Sequence, residues 1–369
     1  MKKVIIVSGA NLFSGGTLSI IQDCLKYANE ELCEKFKVIA LVYSKLDYKD
    51  CNNIEFIEFP NVRKNYFYRL YYEYWYYKKL SSELKPFLWL SLNDTSSNVN
   101  AERRAVYCHN PTPFKNVVFS DLLNQTSVFF FTLFYKFLYR INIRKNNFVI
   151  VQQDWIRRRF SKMFKLNLDK IIVSPPVIPQ DLFLENMVNN DRSDSFTKFC
   201  YATFPRPFKN IEIIGEAVKI LNDKGFKDFS VVVTIDGTEN RYSSQIVKRY
   251  SYLSQIKFIG LISRTDVFKL YGESDCLIFP STLETWGLPI TEFKLYKKTI
   301  LLSDLDYAHE TLGDYDKGIF FDPNDAKVLA DKMFGIINKT TKFIPHNSIK
   351  INEPLVKNWG ELFSFLLKP

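Results

Sequence analysis

The sequence contains no pair of cysteines at CxxC spacing, the arrangement typical of metal-binding and redox motifs. Its six cysteines are scattered, and most fall in apolar runs: Cys24, Cys33, Cys51, Cys108, Cys200 and Cys276. Isolated cysteines in apolar surroundings are typical of buried, reduced thiols rather than of disulfides. We therefore expect free thiols and a reducing, cytoplasmic environment.

Long apolar runs are also missing. The longest, around residues 128–135, ends at Lys136 and is too short to cross a bilayer. At the N-terminus, Met1-Lys2-Lys3 leads directly into a predicted strand at Val4–Val7, so we expect no signal peptide. These absences predict a cytoplasmic protein that is soluble or peripheral to a membrane.

Glycine is scarce, with 13 residues in 369, and neither common glycine-rich nucleotide motif is present. The loop after the first predicted strand, residues 8–17, carries Gly15 and Gly16. Their spacing is not GxGxxG, and no Lys-Ser or Lys-Thr follows, so neither a dinucleotide site nor a P-loop is supported. Paired glycines still allow a backbone to approach a ligand closely, although a simple turn is the common explanation.

Positive charge and aromatic side chains are abundant instead. The formal net charge is +10, and the chain has 33 Phe and 21 Tyr. A basic protein predicts an anionic partner, which can be nucleic acid, a lipid headgroup or a phosphorylated substrate. No recognisable nucleic-acid-binding motif is present, so we expect no nucleic acid partner.

Two segments concentrate these residues. Residues 63–79 hold five cations and nine aromatics, and residues 136–165 hold nine cations with Asp154 as the single acid. Tyrosine and tryptophan suit the boundary of a bilayer, and lysine and arginine suit anionic headgroups. Both segments can therefore contact an anionic inner-leaflet surface; the alternative is a helix buried on one face with a solvated basic side.

Short apolar runs alternate with helical patterns along the whole chain, which predicts parallel sheets covered on both faces. The predicted strands lie at 4–8, 37–42, 54–59, 87–92, 105–109, 148–152, 196–202, 230–235, 256–259, 276–279, 299–302 and 318–321. Prolines within 174–179 and the polar stretch 189–195 mark a linker. We predict two doubly wound, Rossmann-like α/β domains facing a cleft, over 1–176 and 177–354. A C-terminal helix over 355–369 can pack back on the first.

Residues 279–292 contain the most informative motif, Phe-Pro-Ser-Thr-Leu-Glu-Thr-Trp-Gly-Leu-Pro-Ile-Thr-Glu. Glu284 falls on the loop that leaves a buried strand, and Glu292 in the first turn of the next helix, whose start is shaped by Gly287 and Pro289. Free N–H groups at a helix start bind anions, and carboxylates accept hydrogen bonds from hydroxyls. The motif predicts a nucleoside diphosphate sugar, although two glutamates at this spacing are weak by themselves.

Two further groups could carry chemistry. Arg206 and Lys209 follow the first strand of the second domain, where fixed cations would stabilise the charge that develops on a departing diphosphate. A merely solvated basic pair is disfavoured, because cations oppose the dipole at a helix start. His109 ends a predicted strand on the cleft side; the alternative is a structural histidine bonded to a loop carbonyl.

Asp304-Leu305-Asp306 has the Asp-x-Asp pattern that can hold a divalent cation against a diphosphate. The pattern lies late in the second domain, after the glutamate motif. We therefore predict that Asp304 caps the following helix. No metal site is predicted.

The segment Cys276–Glu292, continued by Thr299–Asp304 and Glu310, resembles the C-terminal signature of family 4 retaining glycosyltransferases of the GT-B architecture. The resemblance extends through both domains and is closest to bacterial enzymes that build O-antigen and capsule repeat units. It implies that Glu284 contacts the hydroxyls of the donor sugar and that Glu292 contacts those of the ribose. The amides of Gly287 and Leu288 would reach the diphosphate.

The same resemblance assigns the other cleft residues. Gly15 and Gly16 would line the cleft near the donor phosphates and the acceptor, and His109 would touch the donor sugar. Family members usually carry Gly-Arg at the strand end and a lysine five residues after that arginine. Here Phe204 occupies the arginine position, Lys209 fits the lysine, and Arg206 is a plausible substitute for the arginine.

The resemblance implies a metal-independent, retaining glycosyltransferase that needs no cofactor beyond its nucleoside diphosphate sugar. The acceptor would be a polyprenyl-diphosphate-linked glycan at the inner face of the cytoplasmic membrane, in O-antigen or capsule synthesis. The alternatives are a nucleotide-sugar epimerase or a phosphorylase of the same architecture, and a non-catalytic glycan-binding protein. Release of a free epimer would favour the epimerase, and failure to bind any nucleoside diphosphate would exclude the enzyme.

Overall fold

The computed structural model describes residues 2–13, 15–114, 137–176, 196–346 and 348–368. The chain forms two compact units, Met1–Val177 with Ile351–Pro369, and Ile178–Lys350. It thus returns to the first unit at Ile351, ahead of the predicted helix at 355. The apolar run at 128–135 and most of the predicted linker lie outside the described residues.

The first unit contains a seven-stranded parallel sheet in the order β3-β2-β1-β4-β5-β6-β7. Its strands are β1 (Lys3–Ser8), β2 (Phe36–Val42), β3 (Glu55–Glu58), β4 (Leu88–Ser91), β5 (Arg103–Cys108), β6 (Phe148–Val151) and β7 (Ile171–Val173). Its helices are α1 (Gly15–Tyr27), α2 (Tyr66–Tyr71), α3 (Tyr77–Leu84), α4 (Asp154–Phe164) and, from the end of the chain, α11 (Trp359–Leu367). A π-helical stretch, Tyr72–Tyr76, joins α2 to α3.

Apolar side chains cover both faces of this sheet. Along β1, Ile5 and Val7 belong to one hydrophobic cluster, whereas Ile6 between them belongs to another. Successive residues of a strand point to opposite faces, so an unbroken apolar run supplies two cores at once. The strands predicted from such runs are therefore buried on both sides.

The C-terminal segment completes the first unit. Leu362, Phe363 and Leu366 of α11 lie in the same cluster as Ile5 and Val7. The Phe363 ring stacks on Tyr27 at a centroid distance of 5.7 Å. These contacts place α11 against α1.

The second unit contains a six-stranded parallel sheet in the order β10-β9-β8-β11-β12-β13. Its strands are β8 (Thr197–Tyr201), β9 (Phe229–Val233), β10 (Ile256–Phe258), β11 (Cys276–Phe279), β12 (Thr299–Ser303) and β13 (Gly318–Phe321). Its helices are α5 (Ile211–Asp223), α6 (Arg241–Tyr250), α7 (Arg264–Glu273), α8 (Leu288–Lys294), α9 (Asp306–Leu312) and α10 (Ala326–Ile337). In both sheets the strand order reverses once, between β1 and β4 and between β8 and β11, and such switch points form ligand crevices at the carboxyl ends of the strands.

The second of the two basic-aromatic segments, residues 136–165, includes α4. In the second, Phe160 and Phe164 of α4 are buried, and Asp154 pairs with Arg157 and Arg158. In that segment the described aromatics of α4 are core, as the alternative explanation held. No helix in the described part of the chain is both long and apolar enough to cross a membrane.

Candidate active site

Two loops meet at the switch point of the second sheet, one after β8 and one after β11. The Phe208 carbonyl accepts hydrogen bonds from the Thr282 amide at 2.7 Å and from the Ser281 and Thr282 hydroxyls at 3.1 Å each. Asn210, in a left-handed conformation with φ 52°, donates through its side chain to the Pro280 carbonyl at 3.3 Å. The start of α5 and the end of β11 are therefore fixed relative to one another.

Lys209 and Glu284 form an ion pair across this junction, between Nζ and Oε1. Their side chains are 18% and 13% exposed, so both are screened from bulk water but reachable from it. Burial raises the pKa of the Tyr201 and Tyr307 hydroxyls, and the Glu284 carboxylate raises each further. The structure thus brings together two residues that the sequence assigned to one site.

Arg206 lies apart from this pair. Its side chain is exposed, and its guanidinium lies over the Phe204 ring at 5.1 Å from the centroid. Among the described residues it forms no ion pair. Arg206 and Phe204 therefore form a small exposed stack at the end of β8.

Glu292 is buried on α8, where its two oxygens have different partners. Arg264 lies 3.3 Å from Oε1, and the Tyr271 hydroxyl donates to Oε2 at 3.5 Å. Burial raises the pKa of the Glu292 carboxyl, while Arg264 and the Tyr271 hydrogen bond act in the opposite direction. Sequence reasoning missed Arg264 and Tyr271, because both lie on α7, far from the glutamate motif.

Gly287 precedes α8 with a φ of 85°, in the left-handed region that favours glycine. A Cβ at this position would lie 3.0 Å from Ile290 Cδ1 and 3.3 Å from Phe279 Cε1. Leu288 is the first residue of α8, and Pro289 lies in its first turn. The helix starts where the sequence predicted, and its conformation at Gly287 favours glycine, but Glu292 is the fifth residue of α8 and lies beyond the first turn in which it was predicted.

The prediction for Asp304 is wrong. The N-cap residue of α9 is Leu305, and no side chain caps that helix. Asp304 Oδ1 instead lies 2.6 Å from Nε2 of His309, whose ring stacks on Phe320. Leu305, which directly precedes the helix, therefore occupies the N-cap position. Asp304 contacts the last turn of α9 through the His309 side chain.

His109 follows β5 in the first unit and is organised by Asp94, another residue that sequence reasoning missed. Asp94 Oδ1 accepts hydrogen bonds from the backbone N–H of His109 at 2.7 Å and of Asn110 at 3.1 Å. Its Oδ2 lies 3.5 Å from His109 Nε2. Asp94 has a φ of 67°, which is uncommon for a non-glycine residue. No sequence pattern indicated this conformation.

Gly15 and Gly16 open α1, directly after the loop that follows β1. The neighbouring Gly9 is packed closely, because a Cβ there would lie 2.2 Å from Ile21 Cδ1. This loop and the loop that begins at His109 follow β1 and β5, which lie on either side of β4. They therefore share the carboxyl edge of the first sheet.

A buried carboxylate lies at the same edge. Glu73, 3% exposed, accepts hydrogen bonds from Asn93 Nδ2 at 2.6 Å and from the Ser97 hydroxyl. Arg69 donates to the Asn93 carbonyl at 2.9 Å. Burial raises the pKa of Glu73, against the lowering effect of these partners.

Within the described residues, no group of three or more His, Cys, Asp or Glu side chains is arranged to hold a metal ion. The expectation of a metal-independent site stays a prediction.

Comparisons with known proteins find similar sequences and similar folds. Residues 186–346 match the family Glycosyl transferases group 1. The O-antigen chain mannosyltransferase RfbU of Salmonella typhimurium is 18% identical over 234 residues, which are 62% of this chain and 63% of RfbU. The chain thus matches somewhat less than two thirds of that relative's length.

Two solved structures share the fold. A glycosyltransferase from Rickettsia africae ESF-5 superimposes with a TM-score of 0.66 at 19% identity, over 91% of this chain and 88% of that one. Anabaena HepE in complex with UDP and glucose gives a TM-score of 0.62 at 14% identity, over 91% and 89%. The chain therefore has two parallel-sheet α/β domains with the GT-B fold of these neighbours, and residues 186–346 are similar to glycosyl transferases group 1.

Proposed function

We propose that this protein is a retaining glycosyltransferase that moves a hexose from a nucleoside diphosphate sugar to a lipid-linked oligosaccharide. The observation that supports it most directly is the Lys209–Glu284 pair at the switch point of the second sheet. A cation and a carboxylate side by side match the two needs of such a donor. The diphosphate requires positive charge, and the sugar hydroxyls require acceptors.

In the proposed reaction, the bond between the anomeric carbon and the diphosphate oxygen breaks. The acceptor hydroxyl oxygen bonds to that carbon on the same face, and its proton passes to the departing diphosphate. Lys209, assisted by Arg206, would stabilise the negative charge that accumulates on the leaving group. Glu284 would orient the sugar through its hydroxyls, and the donor would replace Glu284 as the partner of Lys209.

The other predicted residues complete the donor site in this proposal. Glu292 would accept hydrogen bonds from the ribose, and the amides of Gly287 and Leu288 would contact the diphosphate. His109, Gly15 and Gly16 would contribute from the first unit. The carboxylate of Glu292 is already fixed by Arg264 and Tyr271, so it would require little ordering on binding.

The names of the similar proteins support the substrate classes. RfbU is named as an O-antigen chain mannosyltransferase, and HepE was solved with UDP and glucose. We therefore propose a hexose donor and a role in O-antigen or capsule synthesis. A polyprenyl-diphosphate-linked glycan at the inner face of the cytoplasmic membrane would be the acceptor, and neither a metal nor a further cofactor would be needed.

A thermal-shift screen tests the donor site. The protein is heated with UDP-glucose, GDP-mannose and a dTDP-sugar, and the true donor at about 100 times its Kd raises Tm by roughly 5–10 °C. Glu292→Ala should lose this shift, because the ribose loses its acceptor. Glu273→Ala, which removes an exposed acid from α7, should retain it.

Two outcomes would contradict the proposal. If none of the nucleoside diphosphate sugars shifts Tm, the glycosyltransferase assignment fails. If the donor is bound but is converted to a free epimer without acceptor, the protein is an epimerase of the same fold.

A further inference from the structure

The helical segment from Tyr66 to Leu84 has two faces of opposite character. Phe67, Tyr71 and Trp75 recur every fourth residue and are 81%, 52% and 66% exposed. Side chains four apart in a helix lie on one face, so these rings form an exposed stripe. Lys79, four residues after Trp75, extends the same row.

The opposite face is fixed to the protein. Glu73, Tyr77 and Ser81 also recur every fourth residue, and all three are buried. Glu73 binds Asn93 and Ser97 in the loop after β4, and the Ser81 hydroxyl accepts from the Asn100 amide at 2.8 Å. Because the helix is held by these polar bonds, it cannot rotate its aromatic stripe inward.

The outer face carries more positive than negative charge. Lys64, Lys78 and Lys79 are exposed and form no ion pair within the described part of the chain. Residues 63–84 contain two acids: Glu73 is buried on the inner face, and Glu83 is exposed near the end of the segment, so the three exposed lysines outnumber the one exposed carboxylate. A row of exposed rings flanked by unpaired lysines therefore faces away from the first unit.

We propose that this stripe, Phe67, Tyr71 and Trp75 with Lys64, Lys78 and Lys79, docks the protein on an anionic phospholipid bilayer. Tyrosine and tryptophan favour the boundary between headgroups and acyl chains, and lysines near the surface are attracted by anionic lipid. Charge complementarity selects lipid over an apolar protein groove, which would leave three lysines unpaired. The physiological role of this surface rests on the proposed function. Docking would bring the protein to the membrane in which the proposed lipid-linked acceptor is anchored.

Vesicle flotation with the full chain tests the surface. Vesicles of phosphatidylglycerol and phosphatidylethanolamine should bind the protein at least tenfold more tightly than vesicles of phosphatidylcholine, and added salt should weaken this binding. Trp75 is the exposed member of the five tryptophans, so its emission should shift to the blue on binding. Trp75→Phe should retain most of the binding and lose most of the shift.

Two variants separate the contributions of rings and charges. Phe67→Ser with Trp75→Ser should weaken vesicle binding about tenfold or more, since both rings leave the interface. Replacing Lys64, Lys78 and Lys79 by Gln should weaken it roughly a hundredfold, at about fivefold for each lysine. The matched controls are Tyr252→Ser, which removes a ring that is 66% exposed in the second unit, and Lys219, Lys227 and Lys248 replaced by Gln. Both controls should bind as the wild type does.

The lipid assignment is overturned if the wild type shows no preference for anionic vesicles, or if the stripe variants bind as well as the controls. It is also overturned if sedimentation shows a dimer that the Phe67 and Trp75 changes dissolve, because the stripe would then be a contact between copies. The Tm shift with a nucleoside diphosphate sugar should be the same in stripe variants and wild type. A failure here is thereby distinguished from a failure of the donor site.

Discussion

The two sheets have the same order around their switch points, yet they use these points in opposite ways. Between β8 and β11 lie Lys209 and Glu284, two opposite charges that remain partly exposed. At the carboxyl end of β4 lies Glu73, buried by its own helix and hydrogen-bonded to Asn93 and Ser97. The Lys209–Glu284 pair can be reached by a ligand, whereas Glu73 is enclosed by polar groups of the protein itself.

The two switch points differ in the partners of their charged groups. A buried carboxyl costs free energy unless hydrogen bonds compensate it, and the chain supplies these bonds around Glu73. Lys209 and Glu284 are each other's partners, so a ligand that offers an anion to Lys209 and hydroxyl donors to Glu284 can replace the pair at little cost. The comparison predicts that changes at Lys209 affect chemistry and that changes at Glu73 affect folding.

The largest effect is expected from Lys209→Ala. Loss of a positioned cation should lower kcat for transfer, or for hydrolysis of the donor, by about 10²–10³-fold, because charge on the leaving diphosphate is no longer stabilised. Rates at saturating donor measure this effect. The control is Lys219→Ala, an exposed lysine of α5, which should stay within threefold of the wild type.

A Lys209→Ala enzyme with a nearly normal kcat would show that the pair is structural. The contrast between the two switch points would then disappear, since both would serve the fold.

Glu73→Leu should have the next largest effect, on stability. The substitution removes the carboxylate acceptor of the buried Asn93 amide and Ser97 hydroxyl, which keep only hydroxyl contacts with Ser8 and Ser91, and each lost bond costs about 1–3 kcal/mol. Thermal unfolding followed by circular dichroism should show a Tm lower by roughly 5–15 °C. Glu83→Leu, an exposed position of the same segment, should change Tm by no more than about 2 °C; equal effects at 73 and 83 would contradict the assignment.

The smallest effect concerns Glu292 and pH. Burial raises the pKa of its carboxyl, so folding is penalised wherever the folded protein must carry that charge. The favourable contribution of the protonated form is complete below the ordinary glutamate pKa and is lost as pH rises through the raised pKa. Glu292→Gln escapes this loss.

The Tm of Glu292→Gln minus that of the wild type should therefore increase from pH 4 to pH 8. The same variant should bind the nucleoside diphosphate sugar more weakly than the wild type does. Differential scanning fluorimetry across this range is the measurement, with Glu273→Gln as the control. A Tm difference that falls with rising pH would show that Arg264 outweighs burial at Glu292.

Much of the fold could be predicted from the sequence, because each sheet is built from apolar runs separated by helical patterns. Every strand predicted in the second half has a counterpart in β8–β13. The sequence did not predict β7, which has three residues. On its outer side, Val173 forms an isolated parallel bridge with Leu355, near the other end of the chain. No local pattern encodes a partner so distant.

Residues of the candidate site could be proposed from the sequence where a motif contains them, and not where only tertiary contacts bring them together. Glu284, Glu292 and Lys209 stand in recognisable surroundings, whereas the direct contact of Lys209 with Glu284 joins residues 75 positions apart. Glu73 falls within the basic-aromatic segment 63–79, where no motif marks it. The signal that could have identified it is its register, two residues out of phase with Tyr71 and Trp75 and therefore on the opposite face.

The return of the chain to the first unit has a consequence for synthesis on the ribosome. Arg157 Nη1 donates to the Asn352 carbonyl at 2.7 Å, Arg103 Nη1 donates to the Leu366 carbonyl at 2.9 Å, and α11 covers α1. The nascent first unit must therefore wait, with part of its core open, while the whole second unit is translated. The second unit, contiguous in sequence, can close first, so the order of translation and the order of completion are reversed.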